Sequence, residues 1–256
     1  MKKCSLCGKK GLFLILDSEG YCQDCSKWRA KREEEKRREE EKRAAKWEEI
    51  MRIPEYAIEL SDAPRKRRKG FEEIAFSNIT PNGVYDDIVV FDTETTGLAP
   101  SRDRIVELAA VKYREGRPVE RFHSLVNPER EIPEEARKIH KITDAQVADA
   151  PIIGRILPAF EAFVGSSTLV AHNLDFDLRF LFYSGSVITD EKHRYIDTLE
   201  QAQRLLKKPR DVEDYRLDTL CYYYHIMRVK EHSALADAFA AGELFFDLVD
   251  ERRSKT

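Results

Sequence analysis

The spacing of apolar residues changes along the chain. From about residue 86 onward, it predicts a mixture of strands and helices. Ile88-Val-Val-Phe91 is a short apolar run that ends at Asp92, which is typical of a buried strand. Two further strands are predicted from Arg104 to Tyr113 and from Val119 to Val126, close enough to form a three-stranded meander with the first. Leu169-Val170-Ala171 predicts another short strand.

Helical periodicity is clearest near the C-terminal end, where apolar residues recur with a period of about 3.6 residues. These positions are Leu235, Ala238, Phe239, Gly242, Phe245, Phe246 and Val249. Shorter helices are predicted over residues 151–164, with an interruption at Pro158, and over residues 174–183, 197–206 and 217–226. We therefore expect an α/β fold, a mixed sheet with helices on both faces.

The segment from Lys27 to about Met51 consists almost entirely of Lys, Arg and Glu. Three acid-first pairs with i,i+4 spacing favour a helix, namely Glu33 with Arg37, Glu34 with Arg38, and Glu39 with Arg43. No apolar seam repeats there, which argues against a coiled coil. We expect a solvated helical spacer, roughly 35 Å long at about 1.5 Å per residue.

Four cysteines form two Cys-x-x-Cys pairs near the N-terminus, with 14 residues between the pairs: Cys4, Cys7, Cys22 and Cys25. Such pairs converge tetrahedrally on Zn²⁺ when a hairpin joins them, and residues 11–16 predict a strand of that hairpin. The alternative is unliganded thiols in a small core. Because so short a module cannot bury enough apolar surface alone, we expect one structural Zn²⁺ to stabilise a zinc ribbon, which would bind nucleic acid or a protein partner.

Composition and charge limit the class of protein. The chain has 256 residues, of which 42% are hydrophobic and 36% charged. No apolar run approaches the roughly 18 residues of a membrane span, and the cysteines suit a reducing compartment, so we expect a cytoplasmic protein with no membrane partner. Residues 1–85 carry a net charge of +4 and residues 86–256 a net charge of −7. The acidic part would repel a polyanion unless cations intervene.

Five consecutive basic residues at positions 65–69 follow Pro64. They would either contact phosphates without sequence preference or form part of a solvated linker. The predicted organisation is thus a zinc ribbon at residues 1–26, a helical spacer at 27–53, a basic linker at 54–85, a compact domain at 86–250 and a tail at 251–256.

Several acidic residues could carry chemistry, although each position also has an ordinary structural explanation. Asp92 and Glu94 are two apart on a strand and so share one face, where two carboxylates are costly unless protonated or bridged by cations. They would equally suit a turn before Gly97. Asp175, Asp177 and Asp237 each lie near the start of a predicted helix, where an acid is usually a cap or a dipole partner.

Three segments in this order resemble the motifs of the DEDDh family of 3′–5′ exonucleases, which includes the proofreading epsilon subunit of DNA polymerase III. They are Phe91-Asp92-Thr93-Glu94-Thr95-Thr96-Gly97-Leu98, His172-Asn173-x-x-Phe176-Asp177 and His232-x-Ala234-x-x-Asp237. The resemblance covers about residues 86–250 and implies an RNase H-like fold. It implies that four acids bind metal, with His232 as general base; the acids are Asp92, Glu94, Asp177 and Asp237.

The resemblance also implies substrate contacts near the terminal nucleotide, made by Thr95, Leu98, Phe176 and His140. Family spacing selects Asp177 and leaves Asp175 as a solvated or capping residue. Two positions depart from the family pattern. Lys141 stands where glycine is usual after the histidine, and Ser233 stands where Arg or Asn is commoner.

The chemistry of the implied site is consistent with its residues. Oxygen ligands suit Mg²⁺ or Mn²⁺, and a pair of ions roughly 4 Å apart clamps the attacking and leaving oxygens of a phosphodiester. We expect hydrolysis from a free 3′ end of DNA or RNA, releasing nucleoside 5′-monophosphates in DNA replication or repair. The alternatives are an RNA-trimming exoribonuclease and a non-cleaving nucleic-acid-binding adaptor that recruits partners through the zinc ribbon.

Overall fold

The computed structural model describes residues 2–11, 15–72, 74–80, 82–190, 193–230 and 232–256. The chain divides into two compact units, residues 1–48 and residues 49–256. None of the helices in the described ranges combines the length and the apolar character that crossing a bilayer requires.

The first unit contains a two-stranded antiparallel sheet, β1 (Lys2–Lys3) and β2 (Lys10–Gly11), and most of the long helix α1 (Gln23–Arg52). Of the strand predicted over residues 11–16, positions 12–14 lie outside the described residues, and Leu16 forms a bridge with Cys22.

Helix α1 begins before the predicted spacer and is laced with ion pairs on its exposed surface. Glu34 pairs with Arg38 at 2.6 Å and Glu39 with Arg43 at 3.1 Å, as predicted. Arg37 differs from the prediction, because it pairs with Glu41 rather than Glu33. Exposed pairs of this kind each contribute only a few tenths of a kcal/mol.

The second unit is built on a five-stranded mixed sheet in the order β5-β4-β3-β6-β7. Its strands are β3 (Asp87–Thr95), β4 (Ile105–Arg114), β5 (Arg117–Leu125), β6 (Thr168–Ala171) and β7 (Tyr195–Asp197). The first three form the predicted antiparallel meander, and β6 and β7 run parallel to β3. The sequence pattern predicts no strand at β7, because three residues are too few to give a clear apolar pattern.

Helices cover both faces of this sheet, which confirms the predicted fold class. They are α2 (Glu134–His140), α3 (Asp144–Val147), α4 (Ile153–Val164), α5 (Leu174–Ser184), α6 (Thr198–Leu205), α7 (Leu217–Tyr223) and α8 (Ala234–Ser254). Val89 and Phe91 pack with α4 and α5 in the main core. Helix α8 packs against β3, β4 and β6. It continues to Ser254, past residue 250, where the compact domain was predicted to end.

Helix α4 is continuous through Pro158, contrary to the predicted interruption. Proline lacks the N–H that would bond to the carbonyl of Gly154, four residues earlier. That carbonyl instead accepts a hydrogen bond of 2.8 Å from the backbone N–H of Arg65. A partner distant in sequence thus satisfies the carbonyl group that Pro158 leaves free.

Residues 54–72, here called the strap, lie along this unit, although the sequence analysis places them in a linker. Tyr56 N–H donates to the Arg121 carbonyl at 2.8 Å, and the Tyr56 ring packs edge-on against Phe163. Farther along, Arg68 pairs with Asp190 at 2.8 Å. The strap also approaches Gly185 so closely that a Cβ there would lie 2.3 Å from the Lys66 carbonyl oxygen.

Candidate active site

Strand β3 carries Asp92 and Glu94 at its C-terminal end. Because side chains alternate along a strand, both lie on the face opposite Val89 and Phe91, which belong to the main core. A register shift follows immediately, between Glu94 and Thr95. Such bulges bend a strand and redirect its side chains, and they are common beside active sites.

Helix α5 brings Asp177 to the same end of β3. Its Oδ1 atom accepts hydrogen bonds from Thr93 N–H at 3.1 Å and from Thr93 Oγ1 at 2.6 Å. Thr93 lies between the two acids of β3 in sequence, so these bonds hold Asp177 beside them. Asp175 instead is partly exposed and pairs with Arg179 at 2.6 Å.

Helix α8 supplies the third group of the site. Its first residue is Ala234, and His232 precedes the Ser233 N-cap with a φ of +57°. The potential ligand atoms of Glu94, His232 and Asp237 lie within 4.8 Å of one another. The structure thus brings residues from β3, α5 and the start of α8 to one end of the sheet.

Burial raises the pKa of all four acids, and the charges of neighbouring acids add to the effect. Burial is the largest cause, and it raises the pKa of Glu94 to about 8 and the pKa values of Asp177 and Asp237 to about 7. The pKa of Asp92 is raised well above its ordinary value by burial and then by the charges of the other three acids. Carboxylates that repel one another in this way are a fitting donor set for hard divalent cations.

Glu107 is a fifth acid at this end of the sheet that the sequence analysis did not identify. It lies opposite Glu94 in the β3–β4 pairing and is buried. One of its oxygens contacts His123 Nε2 at 2.8 Å, and the other accepts a hydrogen bond from Ala234 N–H at 3.0 Å. The sequence feature that could have identified Glu107 is its position as a single acid within the otherwise apolar run from Ile105 to Val111.

Arg228 was also missed, because it lies in a loop without any motif. Its guanidinium is nearly buried and donates to Asp237 Oδ1 at 2.6 Å, while also pairing with Asp218 of α7. This charge lowers the pKa of Asp237, opposing the effect of burial. Arg228 therefore holds one oxygen of Asp237 in a fixed orientation.

The residues expected to touch substrate lie around these acids. Thr95 is buried and donates from Oγ1 to the Gly97 carbonyl at 2.7 Å, whereas the Leu98 side chain is 84% exposed. Phe176 is partly buried and packs on Phe180 with the ring centroids 4.9 Å apart. Their shared role in contacting the substrate stays a prediction.

His140 is buried, and its Nδ1 accepts a hydrogen bond of 3.0 Å from Ile142 N–H. Its Nε2 has no hydrogen-bond partner among the described residues. Lys141 follows in the left-handed conformation, with φ of +62°, that a glycine would adopt more readily. The departure from the family pattern therefore leaves the backbone turn in place.

His172 of the second motif is held by hydrogen bonds to neighbouring segments, which indicates a structural role. Its ring nitrogens contact Thr198 Oγ1 and the Tyr215 carbonyl, each at 2.9 Å. Burial lowers its pKa to about 4, so the ring is neutral at pH 7. These contacts tie the start of α5 to the neighbouring segments that follow β7.

The first unit contains a separate candidate metal centre. The sulfur atoms of Cys4, Cys7, Cys22 and Cys25 lie within 4.8 Å of one another. Cys7 and Cys22 are 3.8 Å apart, which is about the spacing of two sulfurs bound tetrahedrally at roughly 2.3 Å from Zn²⁺. Cys22 N–H points at Cys4 Sγ at 3.3 Å, and backbone N–H groups lower the pKa of Cys4 to about 6.

Comparison with known proteins supports the sequence resemblance. Residues 89–245 match RNase T, a family of exonucleases. The PolC-type DNA polymerase III of Oceanobacillus iheyensis is 41% identical over 178 residues, and that of Bacillus subtilis is 34% identical over 170 residues. These alignments cover 69% and 65% of this chain but only 12% of each polymerase.

Solved structures agree. Exonuclease X, in complex with 5′ overhanging duplex DNA, is 31% identical with a TM-score of 0.52, over 64% of this chain and 91% of that one. Exonuclease I of E. coli, in complex with a dT13 oligonucleotide, is 20% identical with a TM-score of 0.55, over 66% of this chain and 42% of that one. The latter similarity shows the fold alone, and together they confirm the RNase H-like architecture.

Proposed function

The chain belongs to the RNase T family of exonucleases, and from that membership we propose that it hydrolyses nucleic acid from the 3′ end, with DNA as the preferred substrate. The observation that carries the proposal is the convergence of Asp92, Glu94, Asp177 and Asp237, with His232 beside two of them, at one end of the sheet. The family depends on divalent metal. The raised pKa values of these acids and their all-oxygen donor set support that requirement here.

Each residue has a proposed role in the hydrolysis. Asp92, Glu94, Asp177 and Asp237 would hold two Mg²⁺ or Mn²⁺ ions. Bound there, the ions would lower the pKa of a water molecule and neutralise charge on the phosphate. His232 is solvent-accessible and lies within 4.8 Å of Glu94 and Asp237, so it would accept the proton of the attacking water. The bond between phosphorus and the 3′ oxygen of the preceding nucleotide would break, and that oxygen would take a proton from solvent to become the new 3′ hydroxyl, while a nucleoside 5′-monophosphate leaves.

The preference for DNA rests on relatives. Among the relatives reported above, those at least 30% identical are DNA polymerases and an exonuclease seen with duplex DNA. Because the chain spans 12% of the length of the polymerases, their replication role does not extend to it directly. The same site chemistry would serve RNA, and discrimination would depend on contacts to the 2′-hydroxyl.

A digestion experiment with matched variants tests the proposal. Single-stranded DNA and RNA of the same sequence, labelled at the 5′ end, are incubated with Mg²⁺, Mn²⁺ or a chelator. We expect a ladder shortening from the 3′ end, faster for DNA and absent with the chelator. Asp177→Asn should abolish the ladder, while Asp175→Asn, two residues away on α5, should digest normally.

Three outcomes would contradict the proposal. Digestion by Asp177→Asn at the wild-type rate would remove the acids from the mechanism. Binding of labelled DNA without any digestion would favour the adaptor, and faster digestion of RNA would reassign the substrate.

For the N-terminal unit we propose that residues 1–26 form a zinc ribbon that contacts a protein partner, and that residues 27–53 act as a helical spacer to the exonuclease domain. One Zn²⁺ would bind Cys4, Cys7, Cys22 and Cys25, whose close sulfurs support the assignment. Reduced thiols at this site suit the cytoplasm. Metal analysis of protein purified without chelators should find one zinc per chain, and its absence would contradict the ribbon.

A further inference from the structure

Several arginine side chains surround the loop that joins β3 to β4. This loop, residues 97–104 and here called the Leu98 loop, starts directly after the acids of β3. Its base is closed by Thr96 N–H donating to the Arg104 carbonyl at 2.8 Å and by Arg104 N–H donating to Thr96 Oγ1 at 3.0 Å. Whatever binds the loop therefore lies beside the proposed active site.

Three guanidinium groups converge on four successive carbonyls of this loop. Arg67 of the strap donates to the carbonyls of Pro100 and Ser101, each at 3.0 Å. Arg104 donates to the carbonyls of residues 102 and 103, and Arg130 donates to that of residue 102 at 3.2 Å. The side chain of Arg102 is exposed on the same loop. Four arginines from three distant parts of the sequence thus share one small surface.

The loop carries little negative charge to balance them. Asp103 is its only acid; its side chain is 19% exposed, and its Oδ1 atom lies 3.7 Å from Nη1 of Arg130. That carboxylate turns inward, accepting a hydrogen bond from Ala99 N–H at 2.9 Å and lying so close to Gly97 that a Cβ there would be 2.5 Å from it. Partial burial and the charge of Arg104 lower the pKa of Arg67, which shows that like charges are close together. The single carboxylate of Asp103 offsets only part of the charge of four guanidinium groups, so a further anionic partner would be favourable here.

We propose that Arg67, Arg102, Arg104 and Arg130 form a phosphate-binding rim that holds the sugar-phosphate backbone of the substrate beside the exposed side chain of Leu98. This inference rests on the proposed exonuclease function. It explains how a segment with a net charge of −7 over residues 86–256 attracts a polyanion at this edge. It also gives the strap a purpose, because Arg67 adds a charge that the domain from residue 86 onward does not contain.

The phosphates could belong to the strand being digested or to its complement, and a comparison of single-stranded with duplex substrate distinguishes the two. The rim variant carries both Arg102→Gln and Arg130→Gln. The control variant carries both Arg114→Gln and Arg117→Gln, which remove the same amount of charge from the exposed turn at the other end of the strands. All proteins carry Glu94→Gln to prevent digestion. Fluorescence anisotropy measures affinity over a series of salt concentrations, for a labelled single strand and for a duplex with a recessed 3′ end.

We expect the rim variant to bind about tenfold more weakly, with the slope of log K against log salt reduced by about 2. The control pair should leave the slope unchanged, and Arg102→Lys with Arg130→Lys should keep most of it. A loss seen with the single strand assigns the phosphates to the digested strand, and a loss confined to the duplex assigns them to the complement. If the slope of log K against log salt were the same for the rim variant and the wild type on both substrates, the proposed phosphate-binding rim would be wrong.

Failure of the rim and failure of the exonuclease proposal give different results. In the digesting background, the rim variant should raise KM with little change in kcat. If the wild type digests DNA but the rim variant has an unchanged KM and salt slope, only the rim is wrong. If the wild type does not digest, the exonuclease proposal fails whatever the binding data show.

Discussion

The Oε2 atom of Glu107 accepts a hydrogen bond of 3.0 Å from the backbone N–H of Ala234, the first residue of α8. This bond joins the second strand of the sheet to the start of the helix that carries Asp237. Because His232 immediately precedes that helix, Glu107 fixes the position of two proposed active-site residues. It does so from a position opposite Glu94, to which it also adds negative charge.

Replacing Glu107 with alanine should therefore lower both stability and activity. The Ala234 N–H would lose its partner in a buried environment, which costs about 1–3 kcal/mol. We expect a lower melting temperature and a kcat reduced by about tenfold or more. Glu107→Gln, which keeps an acceptor oxygen, should recover most of the stability. Wild-type kcat in the alanine variant would show that Glu107 does not position the site.

Replacing Thr93 with valine should shift the pH dependence of hydrolysis. The hydrogen bonds from Thr93 lower the pKa of Asp177, opposing the burial that leaves it at about 7. Without the hydroxyl, that pKa rises, and Asp177 becomes ionised only at higher pH. The acidic limb of the log kcat/KM profile should therefore move to higher pH, with the alkaline plateau less affected. If the acidic limb of the profile did not move, the hydrogen bond from Thr93 would not set the pKa of Asp177.

Stability without metal should fall with rising pH because of Glu94. Its pKa is raised from 4.5 to about 8, so between these values the folded protein binds a proton that the unfolded chain has released. The contribution of this group is thus fully present below pH 4.5 and is lost as the pH rises through about 8. Glu94→Gln removes the effect.

Thermal unfolding in a chelator tests this linkage. At pH 8 and above, Glu94→Gln should be more stable than the wild type by about 2 kcal/mol, a shift in Tm of roughly 4–8 °C, and the difference should vanish near pH 4. Mn²⁺ should raise the Tm of the wild type more at pH 8 than at pH 5, and that of the variant much less. Glu135→Gln, at an exposed position, serves as the control for charge. A pH-independent difference between variant and wild type would contradict the assignment.

Replacing Cys22 with serine should release zinc and destabilise the first unit alone. Its Sγ lies 3.8 Å from that of Cys7 and within 4.8 Å of the other cysteine sulfurs, so the change removes one of four potential ligands. We expect loss of bound zinc and faster proteolysis within residues 1–48, with little change in the hydrolysis rate. Cys221→Ser, at the buried cysteine of the second unit, should retain zinc. Retention of zinc by Cys22→Ser would remove that residue from the ligand set.

The sequence alone determined the features whose signals are local. The apolar runs of β3, β4 and β5 and the periodic face of α8 required only the alternation that strands and helices impose. The motif around Asp92 and the spacing from His232 to Asp237 sufficed to identify the family, because short motifs keep their spacing within one strand or one helix turn. The closeness of the four cysteines likewise agrees with their spacing in sequence.

Only the tertiary structure decided the features that depend on partners distant in the chain. Pro158 stays helical because Arg65, far away in sequence, donates to the carbonyl that the proline leaves free. Glu107 holds α8 across 127 residues, and Arg67 reaches the Leu98 loop across 33. A contact of this kind leaves no periodic trace near either residue, since its energy depends on where folding places the other one.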